Sequence, residues 1–324
     1  MKKLFTGLVA ASAALTALAF SEPARAEYPE RPITVIVPWS AGGGTDATGR
    51  MIGKLMQDQL GVPVNVVNRT GGGGVVGHQA IATAKPDGYT IGIVTVEIAM
   101  MHWIGLTDLT YKNYTPIALY NADPAGVSVN ADSEYKTVGE VLEAAKANPG
   151  DLKGSGTGQG GIWHLALAGM LVEAGLDPNA IVWVPSQGAA PALADLAAGG
   201  VDVVTASVVE ARALAEAGKV KVLAVMADEQ LPAFPNVPTL VEAGGPEWTT
   251  AAWRTVAGPE GLPDDVQAKL AATMETIYNS DEFKEFMEGR GFAMTWAGPE
   301  GLEEHYEKAD ADLGSVLKAV GLAK

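Results

Sequence analysis

The chain has 324 residues, of which 22 are basic and 38 are acidic, and its formal net charge at pH 7 is −16. This surplus of negative charge disfavours binding to nucleic acid or to an anionic membrane surface, because both carry the same sign. The absence of cysteine excludes disulfides and a lipoprotein anchor. Abundant alanine, 39 glycines and an aromatic content of only 6% favour packed α/β layers over a β-sandwich.

The first residues have the pattern of a secretory signal peptide. Lys2-Lys3 precedes an apolar stretch from Leu4 to Phe20, and Ala24-Arg25-Ala26 fits a cleavage site. A transmembrane anchor is the weaker alternative, because the apolar run is short for a bilayer span and a cleavage site follows it. We expect cleavage after Ala26 and a soluble product in the periplasm. Removing three basic residues and one acidic residue takes the net charge from −16 to −18.

Two glycine-rich segments near the start of the mature chain organise the rest of the prediction. The first is Trp39–Asp46 and the second is Gly71–Gly74, and each lies between an apolar strand and the start of a helix. Glycine lets the backbone approach a ligand closely, and a helix start has unpaired N–H groups and a partial positive charge. Two such helix starts side by side predict an anion-binding site without lysine.

The first part of the chain alternates strands and helices. The predicted elements are strand Ile33–Val37, helix Thr45–Leu60, strand Val64–Val67, helix Val75–Ala84 and strand Tyr89–Thr95. This alternation predicts a parallel, doubly wound sheet. Two short strands, Ile117–Tyr120 and Gly126–Val129, follow. They are separated by Asn121-Ala122-Asp123-Pro124, which we interpret as a first crossing between domains.

A second cycle of strands and helices follows. Its predicted elements are helix Val138–Ala147, a third glycine loop Ser155–Gly161, helix Ile162–Ala174, strand Ile181–Val184, helix Ala189–Ala198, strand Val201–Ala206, helix Val209–Ala217 and strand Val220–Val225. Strand Trp253–Ala257 is expected to return to the first domain. Two helices, Asp264–Tyr278 and Glu300–Val320, are expected to close the chain.

Motifs for catalysis or cofactor binding are weak. Residues 72–77 and 156–161 match G-x-G-x-x-G, but a chain with 39 glycines produces such matches by chance, so we give dinucleotide binding little weight. There is no P-loop and no G-x-S-x-G elbow, and the four histidines lack metal-ligand spacing. We therefore predict no catalytic residue, no metal site and no cofactor. His164, one turn into the helix after the third glycine loop, could face a ligand or be structural.

Seven stretches taken together resemble one family. They are Tyr28-Pro29 ahead of Pro32-Ile33, Pro38-x-x-x-Gly42-Gly43-x-x-Asp46, Asn68-Arg69-x-Gly71-x-Gly73-Gly74, Lys85–Thr90, Ala147–Gly150, Gly188-x-x-Pro191-Ala192-x-x-Asp195-Leu196 and Pro235–Gly244. In this order they cover nearly the whole mature chain, and they resemble the solute-binding proteins of tripartite tricarboxylate transporters, the TctC or Bug receptor family.

The resemblance implies an α/β, two-domain, type II periplasmic binding-protein fold that closes on a carboxylate ligand in the interdomain cleft. One carboxylate of the ligand is expected to bind against the two glycine loops of the first domain, and the second domain is expected to contact the other end of the ligand. The implied domains are residues 27–125 with 252–324, and residues 126–251. Carried over by motif, the implied ligand-binding residues are Trp39, Ser40, Ala41, Gly42, Gly43, Thr45, Asp46, Gly72, Gly73, Gly74, Thr95, Ser155, Gly156, Thr157, Gly158, His164, Gln187, Gly188, Ala189, Thr205, Ser207 and Arg254.

The chain departs from the family pattern at the end of the site that sets specificity. Trp39 stands where the family often has Phe, and Ser186-Gln187-Gly188 stands where an aromatic-Lys-Gly is common. Arg254 follows Trp253 where a smaller residue is frequent, and it could pair with a distal carboxylate or serve as a structural ion-pair partner. Both tryptophans could line the pocket or belong to the core.

The preferred hypothesis is a monomeric periplasmic receptor. It would capture a small organic carboxylate, which could be a di- or tricarboxylate or an aromatic acid, and deliver it to a transporter with two membrane permease subunits. One alternative is an exported α/β enzyme acting on a carboxylate. Another is a receptor that reports ligand occupancy to a signalling partner. Recurrent glycine loops without a base and nucleophile pair favour the first hypothesis.

Overall fold

The computed structural model describes residues 28–324, so the predicted signal peptide lies outside the described residues. The strands are β1 (Ile33–Val37), β2 (Val64–Asn68), β3 (Thr90–Thr95), β4 (Tyr114–Asn130), β5 (Lys153–Ser155), β6 (Val182–Trp183), β7 (Val203–Ser207), β8 (Val220–Val225), β9 (Ala251–Pro259) and β10 (Met294–Ala297). The α-helices are α1 (Gly44–Leu60), α2 (Val75–Ala82), α3 (Val138–Ala147), α4 (Ile162–Glu173), α5 (Ala189–Ala198), α6 (Val208–Glu216), α7 (Asp264–Asn279), α8 (Asp281–Arg290) and α9 (Pro299–Ala319).

The first domain is built on a mixed sheet in the order β2-β1-β3-β9-β4-β10. Strands β1, β2 and β3 are parallel, as the β-α-β-α-β alternation predicts. Strand β9 is antiparallel to both β3 and β4, so the sheet is not parallel throughout. The reason is that β9 comes from a distant part of the chain, and the local alternation of elements carries no information about its direction.

Strand β4 joins the two domains. It is 17 residues long; it pairs with β9 over Tyr114–Pro124 and with β7 and β8 over Ala125–Asn130. The predicted break between two short strands at residues 121–124 is therefore wrong. Asn121 and Asp123 resemble turn residues in the sequence, but β9 supplies backbone partners along this stretch and both side chains are buried. The predicted crossing does coincide with the point where β4 changes partners.

The second domain is organised around β8, β4, β7, β5 and β6, in that order. Strand β4 is antiparallel to β7 and β8, whereas β5 is parallel to β6 and β7. Helix α4 is buried from Ile162 to Leu171, which fits its apolar composition on all sides. The helix therefore lies in the interior of the molecule, directly after the third glycine loop.

Three elements escape the sequence prediction: β5, α8 and β10. The prediction that two helices alone close the chain is wrong, because α8 and β10 lie between α7 and α9. Helix α8 is mostly charged, but Phe283 and Met287 are fully buried on its inner face. Ser280 caps its first turn and Gly291 ends it in a left-handed conformation. Across residues 28–324, no helix is both long and apolar enough to span a bilayer.

Candidate ligand-binding site

A small cavity lies where the carboxyl ends of β1 and β3 meet the loops of the second domain. Its volume is about 30 Å³, which is room for roughly two or three water molecules. The lining residues are Trp39, Ser40, Gly43, Gly44, Thr45, Thr95, Glu97, Thr157, Ile162, Trp163, Gly188, Ala189, Glu210, Ala252, Trp253 and Arg254.

Three helices begin at the cavity: α1 from the first domain and α4 and α5 from the second. Their N-cap residues are Gly43, Gly161 and Gly188. Because glycine has no side chain, no N-cap side chain accepts a hydrogen bond from the N–H groups of the first turn. The first residue of each helix lines the cavity. The partial positive charges of three helix starts therefore converge on one small volume, which is an arrangement suited to an anion.

Asp46 stabilises the first glycine loop through hydrogen bonds to its side chain. Its carboxylate accepts the N–H of Gly42 at 2.9 Å and the side-chain amide of Asn68 at 2.8 Å, and it forms an ion pair with Arg50 at 2.8 Å. Burial opposes ionisation, but these three donors outweigh it and hold the pKa of Asp46 below its usual range. Asp46 thus fixes the loop while lying outside the cavity lining.

The second glycine loop contacts the second domain and does not line the cavity. Gly73 has a φ of 64°, in the left-handed region. A Cβ on Gly158 would lie 2.4 Å from the Cα of Gly73, and a Cβ on Gly74 would lie 3.0 Å from the ring of Trp39. Only glycine permits these approaches. The loop therefore serves as a close contact between backbones of the two domains.

A buried hydrogen-bonded chain connects this loop to the cavity. The Nδ1 of His78 lies 2.8 Å from the carbonyl oxygen of Gly74, and its Nε2 accepts the N–H of Thr95 at 3.1 Å. This arrangement places the proton on Nδ1, and burial lowers the pKa of His78 to about 4, so the ring is neutral. The Thr95 hydroxyl accepts from Trp39 Nε1 at 3.1 Å and donates to Glu97 Oε2 at 2.5 Å.

Arg254 is held by several polar groups at once. Arg254 lies on β9, and its guanidinium donates hydrogen bonds to the side chains of Asn121 and Asp123. Its Nε donates to the Thr45 hydroxyl at 3.0 Å, and its Nη2 lies 3.9 Å from the carboxylate of Glu210. The side chains of Arg254 and Asp123 are 3% and 4% exposed. Arg254 therefore has a structural ion-pair partner in Asp123. It also lies on the cavity wall, and its contact with a ligand stays a prediction.

Two acidic residues on the cavity wall, Glu97 and Glu210, were missed by the sequence reasoning. Burial raises the pKa of Glu97. Glu210 accepts the N–H of Gly44 at 2.8 Å and the Ser207 hydroxyl at 2.9 Å. Two signals could have found them: Glu97 lies directly beyond a buried parallel strand, and Ser207-x-x-Glu210 has the spacing of a capping box. Glu210 instead reaches across to the first domain.

The loops of the second domain close the remaining side. The carbonyl of Gln187 accepts from the N–H and hydroxyl of Ser40 at 3.3 Å and 3.0 Å. His164 Nδ1 accepts the N–H of Gly160 at 2.9 Å, and its ring stacks on Trp183 with centroids 4.6 Å apart. Burial lowers the pKa of His164 to about 4. His164 therefore holds the third glycine loop and lies outside the cavity lining.

The predicted ligand residues divide into two sets by position, and their contact with a ligand stays a prediction. Those on the cavity wall are Trp39, Ser40, Gly43, Thr45, Thr95, Thr157, Gly188, Ala189 and Arg254. Those outside the lining are Ala41, Gly42, Asp46, Gly72, Gly73, Gly74, Ser155, Gly156, Gly158, His164, Gln187, Thr205 and Ser207. Within the described chain, no group of three or more His, Cys, Asp or Glu side chains could hold a metal ion.

Two α/β domains that are joined through β4 and have a cavity between them have the architecture of periplasmic binding proteins. The family model "Tripartite tricarboxylate transporter family receptor" matches residues 48–322, and the chain belongs to this family. This confirms the resemblance and the two-domain fold. It also makes the chain a solute-binding receptor, so the enzyme alternative is set aside.

The chain is similar to a protein of Pseudomonas sp. strain P51, the UPF0065 protein in the tcbD-tcbE intergenic region, at 32% identity over 86% of this chain and 83% of that one. Among solved structures, Rpa4515 of R. palustris with adipate matches with a TM-score of 0.86 and 28% identity, over 92% of this chain and 99% of that one. MatC of Rhodopseudomonas palustris with bound malate matches with a TM-score of 0.82 and 27% identity, over 90% and 100%.

Proposed function

We propose that this receptor captures a small organic carboxylate in the periplasm and delivers it to a tripartite-type transporter with two membrane permease subunits. The observation that carries the proposal is the convergence of α1, α4 and α5, each with a glycine N-cap, on one small cavity between the domains. The adipate and malate in two similar structures support the same ligand class. The predicted signal peptide supports the location.

The domain boundaries belong to the same proposal. We place the second domain at residues 126–251 and the first at residues 27–125 and 252–324. The change in partners of β4 after Pro124 and the start of β9 at Ala251 support this division. Both connections run through adjacent strands, which is a suitable place for a hinge.

Calorimetry with a panel of mono-, di- and tricarboxylates tests the function. We expect at least one acid to bind the parent chain. A Cβ on Gly44 would lie 2.7 Å from Arg254 Nη2 and 3.1 Å from Glu210 Oε1. Gly44→Ala should therefore weaken binding, because it displaces these two side chains on the cavity wall. The matched control is Gly301→Ala, where a Cβ meets only Ala297 at an ordinary 3.4 Å, and it should bind like the parent.

Two outcomes would contradict the proposal. One is that no carboxylate binds the parent chain, and the other is that Gly44→Ala binds as tightly as Gly301→Ala. Cell fractionation tests the location separately, since the proposal requires the mature chain in the periplasmic fraction. Co-purification with membrane permease subunits tests delivery to a transporter.

A further inference from the structure

The cavity has an acidic side as well as an anion-binding side. Its charged lining side chains are Glu97, Glu210 and Arg254. Arg254 already forms a buried ion pair with Asp123, which lies outside the lining. Each oxygen of Glu210 accepts one hydrogen bond, from the N–H of Gly44 at 2.8 Å and from the Ser207 hydroxyl at 2.9 Å. Glu97 is the lining acid that has one weakly bonded oxygen.

The two oxygens of Glu97 have different surroundings. Its Oε2 accepts the Thr95 hydroxyl at 2.5 Å, whereas the hydrogen bond from the N–H of Ile162 to its Oε1 is long, at 3.5 Å. The backbone N–H of Glu97 itself also interacts with the carboxylate. The residue is 2% exposed and lies on the cavity wall. A carboxylate oxygen has two lone pairs, and burying one with so weak a partner costs free energy unless a further donor is supplied.

A second polar group points to the same place. Thr157 is 4% exposed and lies on the cavity wall, and its hydroxyl has no hydrogen-bond partner among the described residues. Both groups border Gly161, where an added Cβ would lie 2.9 Å from Thr157 Oγ1 and 3.6 Å from Glu97 Oε1. The absence of a side chain at Gly161 leaves the two oxygens room to bind one small donor group between them.

We propose that Glu97 and Thr157 form a subsite for a protonated amine, so that the natural ligand is an amino acid and not a plain di- or tricarboxylate. The inference rests on the proposed function, because the ligand's carboxylate would lie at the starts of α1 and α5. An ammonium group carries three donors and a positive charge, which matches one carboxylate and one hydroxyl oxygen. Burial raises the pKa of Glu97, and a bound positive charge would favour the ionised carboxylate again. A ligand with only negative groups would meet Glu97 and Glu210 without a free cation to offset them.

Matched ligands provide the test. Aspartate, malate and succinate differ at one carbon by an amine, a hydroxyl and a hydrogen, and glutamate, 2-hydroxyglutarate and glutarate extend the series by one carbon. A longer panel pairs other amino acids with their deaminated analogues. We expect the amine-bearing member of a set to bind the parent chain at least about 10-fold more tightly than its hydroxyl and unsubstituted analogues.

Three isosteric variants locate the effect. Glu97→Gln and Thr157→Val should each weaken binding of the amine-bearing ligand, and Glu97→Gln by roughly 10- to 100-fold because a charged hydrogen bond is lost. Both variants should leave binding of the unsubstituted analogue within a few-fold of the parent. The control is Glu275→Gln at an exposed position of α7, which should match the parent with every ligand.

The outcomes separate this inference from the proposed function. If acids without an amine bind best, or if Glu97→Gln weakens all ligands equally, the amine subsite is overturned while the carboxylate receptor stands. A protonated Glu97 that donates to a ligand carboxylate would give this result, because the glutamine amide would replace that donor. If no carboxylate of any kind binds the parent chain, the proposed function and the amine subsite fall together.

Discussion

Arg254 lies between two buried acidic side chains, Asp123 and Glu210. It lies on β9 of the first domain, its main partner Asp123 lies near the point where β4 leaves that domain, and Glu210 approaches it from the second domain. A buried ion pair adds little net stability when both partners are present. Removing one partner, however, leaves a buried charge without compensation.

We therefore expect Arg254→Ala to lower the free energy of unfolding by about 3–5 kcal/mol, since Asp123 stays buried. Urea denaturation measures this change. The control is Lys308→Ala, whose pair with Asp312 is 76% and 60% exposed, and it should cost less than about 1 kcal/mol. Equal losses in the two variants would show that the buried pair is not coupled to folding.

The buried histidines predict a dependence of stability on pH. The pKa values of His78 and His164 fall to about 4 in the folded chain, below about 6.5 for an unfolded histidine. Between these pH values the unfolded chain binds more protons than the folded chain. The contribution of the two histidines to the free energy of unfolding is therefore fully present above about pH 6.5 and is lost as the pH falls toward 4. Each histidine accounts for up to about 3 kcal/mol of this loss.

His164→Asn tests this dependence. Asparagine keeps an acceptor near the N–H of Gly160 but does not titrate. The variant should lose less unfolding free energy than the parent between about pH 7 and about pH 4.5, as measured by urea denaturation at each pH. If the two chains lose the same amount, the pKa of His164 is not lowered by folding.

At the scale of elements, the glycine loops have two separate tasks. Helices α1, α4 and α5 direct their first turns at the cavity, whereas the second loop meets the third loop through Gly73 and Gly158. Backbone contact between loops of the two domains is possible only when the domains are close together. The Gly73–Gly158 contact should therefore stabilise the closed arrangement without touching the ligand.

Gly158→Ala should oppose closure, because its Cβ would lie 2.4 Å from the backbone Cα of Gly73. A clash of this kind costs about 1–3 kcal/mol, so affinity should fall about 5- to 150-fold. Small-angle scattering should show ligand-induced compaction in the parent and less of it in the variant. Gly301→Ala is again the control, and a variant that binds and compacts like that control would show that the loop contact does not limit closure.

For the whole molecule, net charge and local binding geometry act in opposite directions. The chain has a formal net charge of −16, yet the proposed ligand is bound through a carboxylate. Long-range repulsion slows the approach of an anion, and salt screens that repulsion over about 10 Å at 0.1 M. The starts of α1, α4 and α5 act only at short range, where salt has little effect.

Affinity should consequently change less than about threefold between low and moderate salt, and association should be unchanged or slightly faster as salt rises. Calorimetry and stopped-flow measurements at two salt concentrations test this with the acid that binds best. A steep fall in affinity with salt would show that a field from basic residues, and not helix starts, holds the ligand.

The sequence by itself determined the elements whose signals are local. Apolar runs between glycine and proline turns gave β1, β2 and β3, and the helices between them began where glycine loops ended. The motifs around these loops also identified the family, because they occur in order along nearly the whole chain. The helix starts that form the anion side of the cavity could be placed for the same reason.

Only the tertiary structure decided the path of β4 and the polar interior of the cavity. Asn121 and Asp123 have the composition of a turn, but pairing with β9 extends the strand and burial directs both side chains to Arg254. The sequence positions of Glu97 and Glu210 mark a strand end and a capping-box spacing, but neither signal shows that the side chain is buried. Burial of a charged group depends on packing by segments 65 to 166 residues away, and such long-range packing leaves no local pattern in the sequence.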